Sequence, residues 1–166
     1  MGARGVHFSL SDLEVTRLES YESDEDRLAY VQEEIEETYF ETRRQDLVET
    51  DKAWDAVHRC LTDGTLAGAT RHPLALVILG GRLLYTGDDY IMTLKSPEEV
   101  RAVAPLLSAI TEATFRAAYD GIDVGEYGGE LGDDDFAYTW QNFVALREFW
   151  GRAAEAGRSV LFTVDQ

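Results

Sequence analysis

The sequence predicts a single mixed α/β domain. Three observations carry this. Strand-like alternation stands at both ends of the chain, in GVHFSL and SVLFTV, and capped helical stretches lie between them. No repeat or low-complexity linker divides the 166 residues. A chain of this length buries roughly 70% of its unfolded surface, and with 45% apolar residues it can form a core without staples.

In residues 5–11, Val6, Phe8 and Leu10 alternate with His7, Ser9 and Ser11, the period-two pattern of a strand. Ser11 and Glu14 then form a capping box, which starts a short helix. A second start lies at SDED, and beyond it Leu28, Val31, Ile35 and Tyr39 recur at helical spacing. Glu33, Glu34, Glu36, Glu37 and Glu41 fall on the other face and read as solvated. No Glu-x-x-His accompanies them, as a carboxylate di-metal bundle would require. The stretch PLALVILGG suits a buried strand or a short helix, with Gly80 and Gly81 in a turn that permits positive φ.

SPEEV marks a further helix start, with Ser96 as cap, Pro97 at the first position and Glu99 closing the box. Pro105 predicts a kink near Arg101–Ala104. A short helix ends at Gly121. GIDVGEYGGELGDDD reads as a flexible acidic surface loop and fails the calcium-loop spacing. Phe136, Trp140, Phe143, Trp150 and Ala154 lie within about 80° on one helix. Arg147 shares their arc, so it must pair with a carboxylate or extend to water.

The formal charge is −17. Phosphate binding needs clustered Lys and Arg, so nucleic acid is not an expected partner, and neither is an anionic membrane surface. The charge favours solubility and steers encounter with a basic protein partner. No apolar run approaches the ~20 residues of a membrane span. The single cysteine, Cys60, excludes an internal disulfide. The N-terminus lacks the apolar block of a secretory signal. The expected location is cytoplasmic.

The stretch DKAWDAVHRCL, residues 51–61, is the one place where carboxylates and a histidine share a short helical run. Drawn at 100° per residue, Ala53, Trp54, Val57, Cys60 and Leu61 form the core face, and Asp51, Asp55 and His58 lie within about 60° beside it. Such an edge could offer metal ligands or a general base. The plainer explanation is a helix capped by Thr50 or Asp51, with His58 at the core edge bonded to a carboxylate. Cys60 falls on the apolar face and reads as an inert thiol. No G-x-S-x-G, P-loop, G-x-G-x-x-G or H-E-x-x-H motif occurs, and no cofactor is expected.

Together, DKAWDAVHRCLTDG, PLALVILGG, LKSPEEVRAVAPLLSAI, FRAAYDG and FVALREFWGRAAEAGRSVLF resemble, in that order, the YfbM-like family of small bacterial proteins. The resemblance covers most of the chain, including the opening MGARGVHFSLSDLE. It implies a three-layer α/β sandwich with a small mixed sheet flanked by helices, one domain over residues 1–166. It assigns no activity and no catalytic residue. Its most recognisable motif falls on Asp51, Lys52, Ala53, Trp54 and His58, with Asp55 among them and Gly80 and Gly81 in the next. Pro105 and the EYGGELG segment, where a tyrosine–proline turn is usual, depart from the family pattern.

The functional expectation is a non-enzymatic, acidic protein-binding module of immunity-like or regulatory type. The alternative is a small metal-assisted hydrolase built on Asp51, Asp55 and His58. A third expectation is a homo-oligomer with Trp140, Phe149 or Trp150 at the subunit contact.

Overall fold

The computed structural model describes residues 3–66 and 72–166. The two terminal strands lie side by side. β1 (Gly5–Leu10) pairs antiparallel with the C-terminal strand Ser159–Asp165, from Gly5 opposite Val164 to Leu10 opposite Ser159. β2 (Leu47–Asp51) lies along the outer edge of β1, β3 is the short edge Arg82–Leu83, and β4 (Tyr90–Lys95) joins β3 to the C-terminal strand, β5. The order is β2-β1-β5-β4-β3, and every pairing is antiparallel. The sheet is thus not mixed as expected. Parallel neighbours need a single crossover, whereas two helical runs between β1 and β2 return the chain to the end of the sheet it left.

The helices cover both faces, which makes three layers. On one side are α1 (Asp12–Ser20), α2 (Asp24–Tyr30) and α3 (Glu37–Thr42). Leu18, Tyr30, Val31, Ile35 and Tyr39 pack there on Phe8, Leu10, Met92, Leu94 and Leu161. On the other are α4 (Trp54–Leu61), α5 (Pro97–Ser108), α6 (Glu112–Asp120) and α7 (Asp133–Glu155). Their Val57, Val103, Leu107, Phe143 and Trp150 meet Val160, Phe162 and Val164. The period-two alternation of β5 sends Leu161 to the first layer and its neighbours to the second.

Local chemistry sets most of the boundaries. Ser11 with Glu14, and Ser96 with Glu99, form the expected capping boxes, and Ser23 caps α2. α2 runs through a π-helical segment, Val31–Glu36, into α3. The outward glutamates are exposed except Glu36, which accepts a hydrogen bond from the Tyr90 hydroxyl at 3.2 Å. PLALV forms a 3-10 helix, Pro73–Val77, and Gly81 takes φ +105°. α5 continues unbroken through Pro105. Arg147 pairs with no carboxylate among the described residues; it stays partly exposed, donates to the Ile110 carbonyl at 2.7 Å, and its guanidinium lies 5.3 Å from the Trp140 ring.

α7 departs most from the single-stripe reading. Phe149 and Trp150 are 1% and 0% exposed, so neither is free for a subunit contact. The reason is position. α7 has the sheet on one side and α4, α5 and α6 on others, so its buried arc is wider than one stripe. Among the described residues, no helix is long and apolar enough to cross a membrane.

Candidate functional site

The structure divides DKAWDAVH between three environments. Asp51 is the last residue of β2, paired opposite Gly5, and it takes φ +46°, the left-handed region that non-glycine residues rarely enter. α4 begins only at Trp54, with Ala53 at the cap position and no side-chain cap. The Thr50 hydroxyl instead contacts the His7 ring, Nε2 to Oγ1 3.1 Å. Neither Thr50 nor Asp51 caps the helix, and angles drawn for a helix do not hold at Asp51.

Asp55 is bound to Arg59, whose Nε donates to Oδ1 at 2.6 Å. His58 is 1% exposed, and among the described residues it bonds no carboxylate and neither ring nitrogen has a hydrogen-bond partner. Asp51, Asp55 and His58 therefore do not converge. No group of three or more His, Cys, Asp or Glu among the described residues could hold a metal ion.

Asp51 and Asp55 instead line a cleft of about 610 Å³ together with Trp54. Residues far away in sequence complete it: Tyr127, Gly128 and Gly129 from the loop after α6, and Asp135 and Tyr138 from the first turns of α7. The Tyr138 hydroxyl donates to Asp51 Oδ2 at 2.6 Å. Asp135 accepts from the hydroxyls of Tyr119 at 2.6 Å and Tyr127 at 3.2 Å. Burial, reinforced by these carboxylates, pushes the Tyr138 and Tyr119 phenols up to about 12 and raises Tyr127 as well. All three remain neutral donors, which orient the carboxylates without cancelling their charge. Tyr127 and Asp135 were not legible as site residues. The only local sign was an aromatic residue inside a glycine-rich acidic loop, and that loop is pinned by Tyr127.

Behind the cleft lies a buried polar layer on the α4–α7 face of the sheet. Lys95 is 0% exposed, and its Nζ donates to the Ile78 carbonyl and to Thr93 Oγ1, both at 2.7 Å. The Phe162 ring stands 4.7 Å from the His7 ring and 5.3 Å from Lys95 Nζ. Burial drives Lys95 well below its ordinary range, opposed by Glu99. Burial and then Lys95 drive His7 down likewise. His58 falls to about 4, first through burial and then through Lys95. Gly80 and Gly81 serve this layer. A Cβ on Gly81 would stand 2.6 Å from the Leu94 carbonyl oxygen, and one on Gly80 would stand 2.7 Å from the Ala75 backbone. Their close approach lets the preceding Ile78 carbonyl reach Lys95. Cys60 is buried, and its thiol is pushed up to about 12 by burial.

The family model described as "Domain of unknown function (DUF1877)" matches residues 1–163. The crystal structure of YfbM from Escherichia coli, a protein of unknown function, has the same fold: TM-score 0.67 at 19% identity, covering 97% of this chain and 99% of that one. No curated protein matches the sequence. At that identity the structural likeness speaks for the fold alone, and it bears out the resemblance drawn from the sequence motifs. The chain belongs to the DUF1877 family of unknown function, with the fold of YfbM.

Proposed function

We propose that the protein is a non-enzymatic binding module that takes a positively charged segment of a protein partner in the cleft between α4 and the start of α7. The observation that carries this reading is the state of Asp51 and Asp135. Both are fixed by phenolic hydroxyls, which position the charges without neutralising them; Asp51 has the exposed Arg4 at 3.4 Å, and Asp135 pairs with no Lys or Arg among the described residues. A carboxylate held between aromatic rings suits a cation, which gains from charge and from the ring faces together. The net charge of −17 supports the same direction, since it accelerates encounter with a basic surface and discourages acidic competitors. A regulatory or immunity-like role fits such chemistry. A single buried cysteine suits a reducing, cytoplasmic setting.

The test is calorimetric titration with a basic decapeptide and an acidic decapeptide of equal length, at low and high salt. Binding is expected for the basic peptide alone, weakening with salt. The double variant Asp51→Asn/Asp135→Asn is expected to bind about tenfold more weakly, equivalent to about 1.4 kcal/mol. Absence of binding, or binding that the double variant leaves unchanged, would overturn the reading.

A further inference from the structure

We infer, resting on the reading above, that the cleft prefers the guanidinium group of an arginine in an extended segment, and that Arg4 of the same chain holds that position until a partner displaces it. Residues 3 and 4 lead into β1 and line the cleft. The Trp54 indole N–H donates to the Ala3 carbonyl at 3.0 Å, so the cleft already grips one stretch of backbone. The next side chain, Arg4, brings Nε to 3.4 Å from Asp51 Oδ1. That oxygen is shielded from solvent and accepts no hydrogen bond among the described residues, while the Tyr138 hydroxyl donates to Oδ2. The Arg4 side chain is 77% exposed, and an ion pair so open to water is easily exchanged.

The same wall holds a second guanidinium in place. Arg59 donates to Asp55 at 2.6 Å and lies 5.9 Å from the centre of the Tyr127 ring. A carboxylate beside an aromatic ring is therefore a setting this wall already uses for arginine. The opposite carboxylate, Asp135, takes its hydrogen bonds from Tyr119 and Tyr127 and pairs with no Lys or Arg among the described residues. A guanidinium is planar, weakly hydrated and able to stack while donating sideways, whereas an ammonium is a compact, strongly hydrated point charge. The cleft of about 610 Å³ also has room for the backbone on either side of one arginine. Lys52 lines it too, but is exposed.

The experiment compares acetyl-Gly-Arg-Gly-amide with acetyl-Gly-Lys-Gly-amide by amide NMR shifts, on the wild-type protein and on Arg4→Gln. Arg4 is an exposed arm residue, so its replacement leaves the fold intact. The arginine peptide is expected to bind about tenfold more tightly than the lysine peptide, and Arg4→Gln to strengthen its binding about threefold by removing the internal competitor. Equal affinity for the two peptides, or no change in Arg4→Gln, overturns this inference. If both peptides bind equally and both are weakened by Asp51→Asn/Asp135→Asn, the cation-binding cleft stands while its arginine preference falls. If neither peptide binds, the inference falls, and the decapeptide titration decides separately whether the cleft binds basic segments at all.

Discussion

Acidification should unload stability from the buried layer through His58. The ring is 1% exposed, and neither nitrogen finds a hydrogen-bond partner among the described residues. Burial first, then the charge of Lys95, lowers its pKa to about 4, with Arg59 and His72 acting in the same direction and Asp63 against it. In the unfolded chain the same ring titrates near about 6.5. As pH falls the unfolded state takes up the proton first, so stability present above pH ~6.5 is lost progressively toward pH ~4, at up to about 1.4 kcal/mol per unit. Between pH 7 and 5 the loss from His58 is about 2 kcal/mol, which lowers the melting temperature of a domain this size by about 4–8 °C. His7 is displaced in the same direction and adds to the slope. The control is His58→Leu, which removes the titration and the unpaired nitrogens. Urea denaturation at both pH values is expected to show a dependence flatter by about 2 kcal/mol, with stability at pH 7 equal or higher. An unchanged slope would refute the reasoning. So would a loss of several kcal/mol at pH 7, because the ring nitrogens would then be making hydrogen bonds that matter.

Three further predictions concern single positions. Asp51 sits at φ +46°, so Asp51→Val should cost about 1–2 kcal/mol more than Asp51→Asn, which tolerates the left-handed region; urea midpoints decide this. Gly81→Ala forces a Cβ to 2.6 Å from the Leu94 carbonyl oxygen at φ +105° and should destabilise by about 1–3 kcal/mol, again read from the midpoint. Cys60 should resist a thiol reagent in the native protein and react on unfolding, since its thiol is buried and pushed up to about 12. Rapid native labelling would contradict that placement.

What was legible in the sequence was local. Ser11 and Ser96 announce their helices because the capping side chain and its glutamate partner lie three residues apart. β1 and β5 are legible because alternation along one strand already says which residues face each layer. Where distant segments decide, the reading failed. Asp51 has helical spacing to Asp55 and His58, yet pairing with Gly5 across the sheet holds it in β2. Phe149 lies off the main stripe of α7, but the sheet and three helices surround that helix, and His7 packs 6.4 Å from its ring. Lys95 ends β4 just before the Ser96 cap, and nothing local marks it as buried; the folded Gly80–Gly81 turn brings the Ile78 carbonyl over it. The cleft was half legible. Asp51, Trp54 and Asp55 were singled out, while Tyr127, Asp135 and Tyr138 reach them only through the loop after α6.

The most direct test of the cleft as a binding site is to map it. Amide shifts of the labelled protein would be followed during titration with the basic decapeptide. The account predicts salt-sensitive changes concentrated at residues 3–4, 51–55 and 127–138, which line and support the cleft, with the α1–α3 face undisturbed. Shifts centred on that opposite face, or no shifts at saturating peptide, would contradict it.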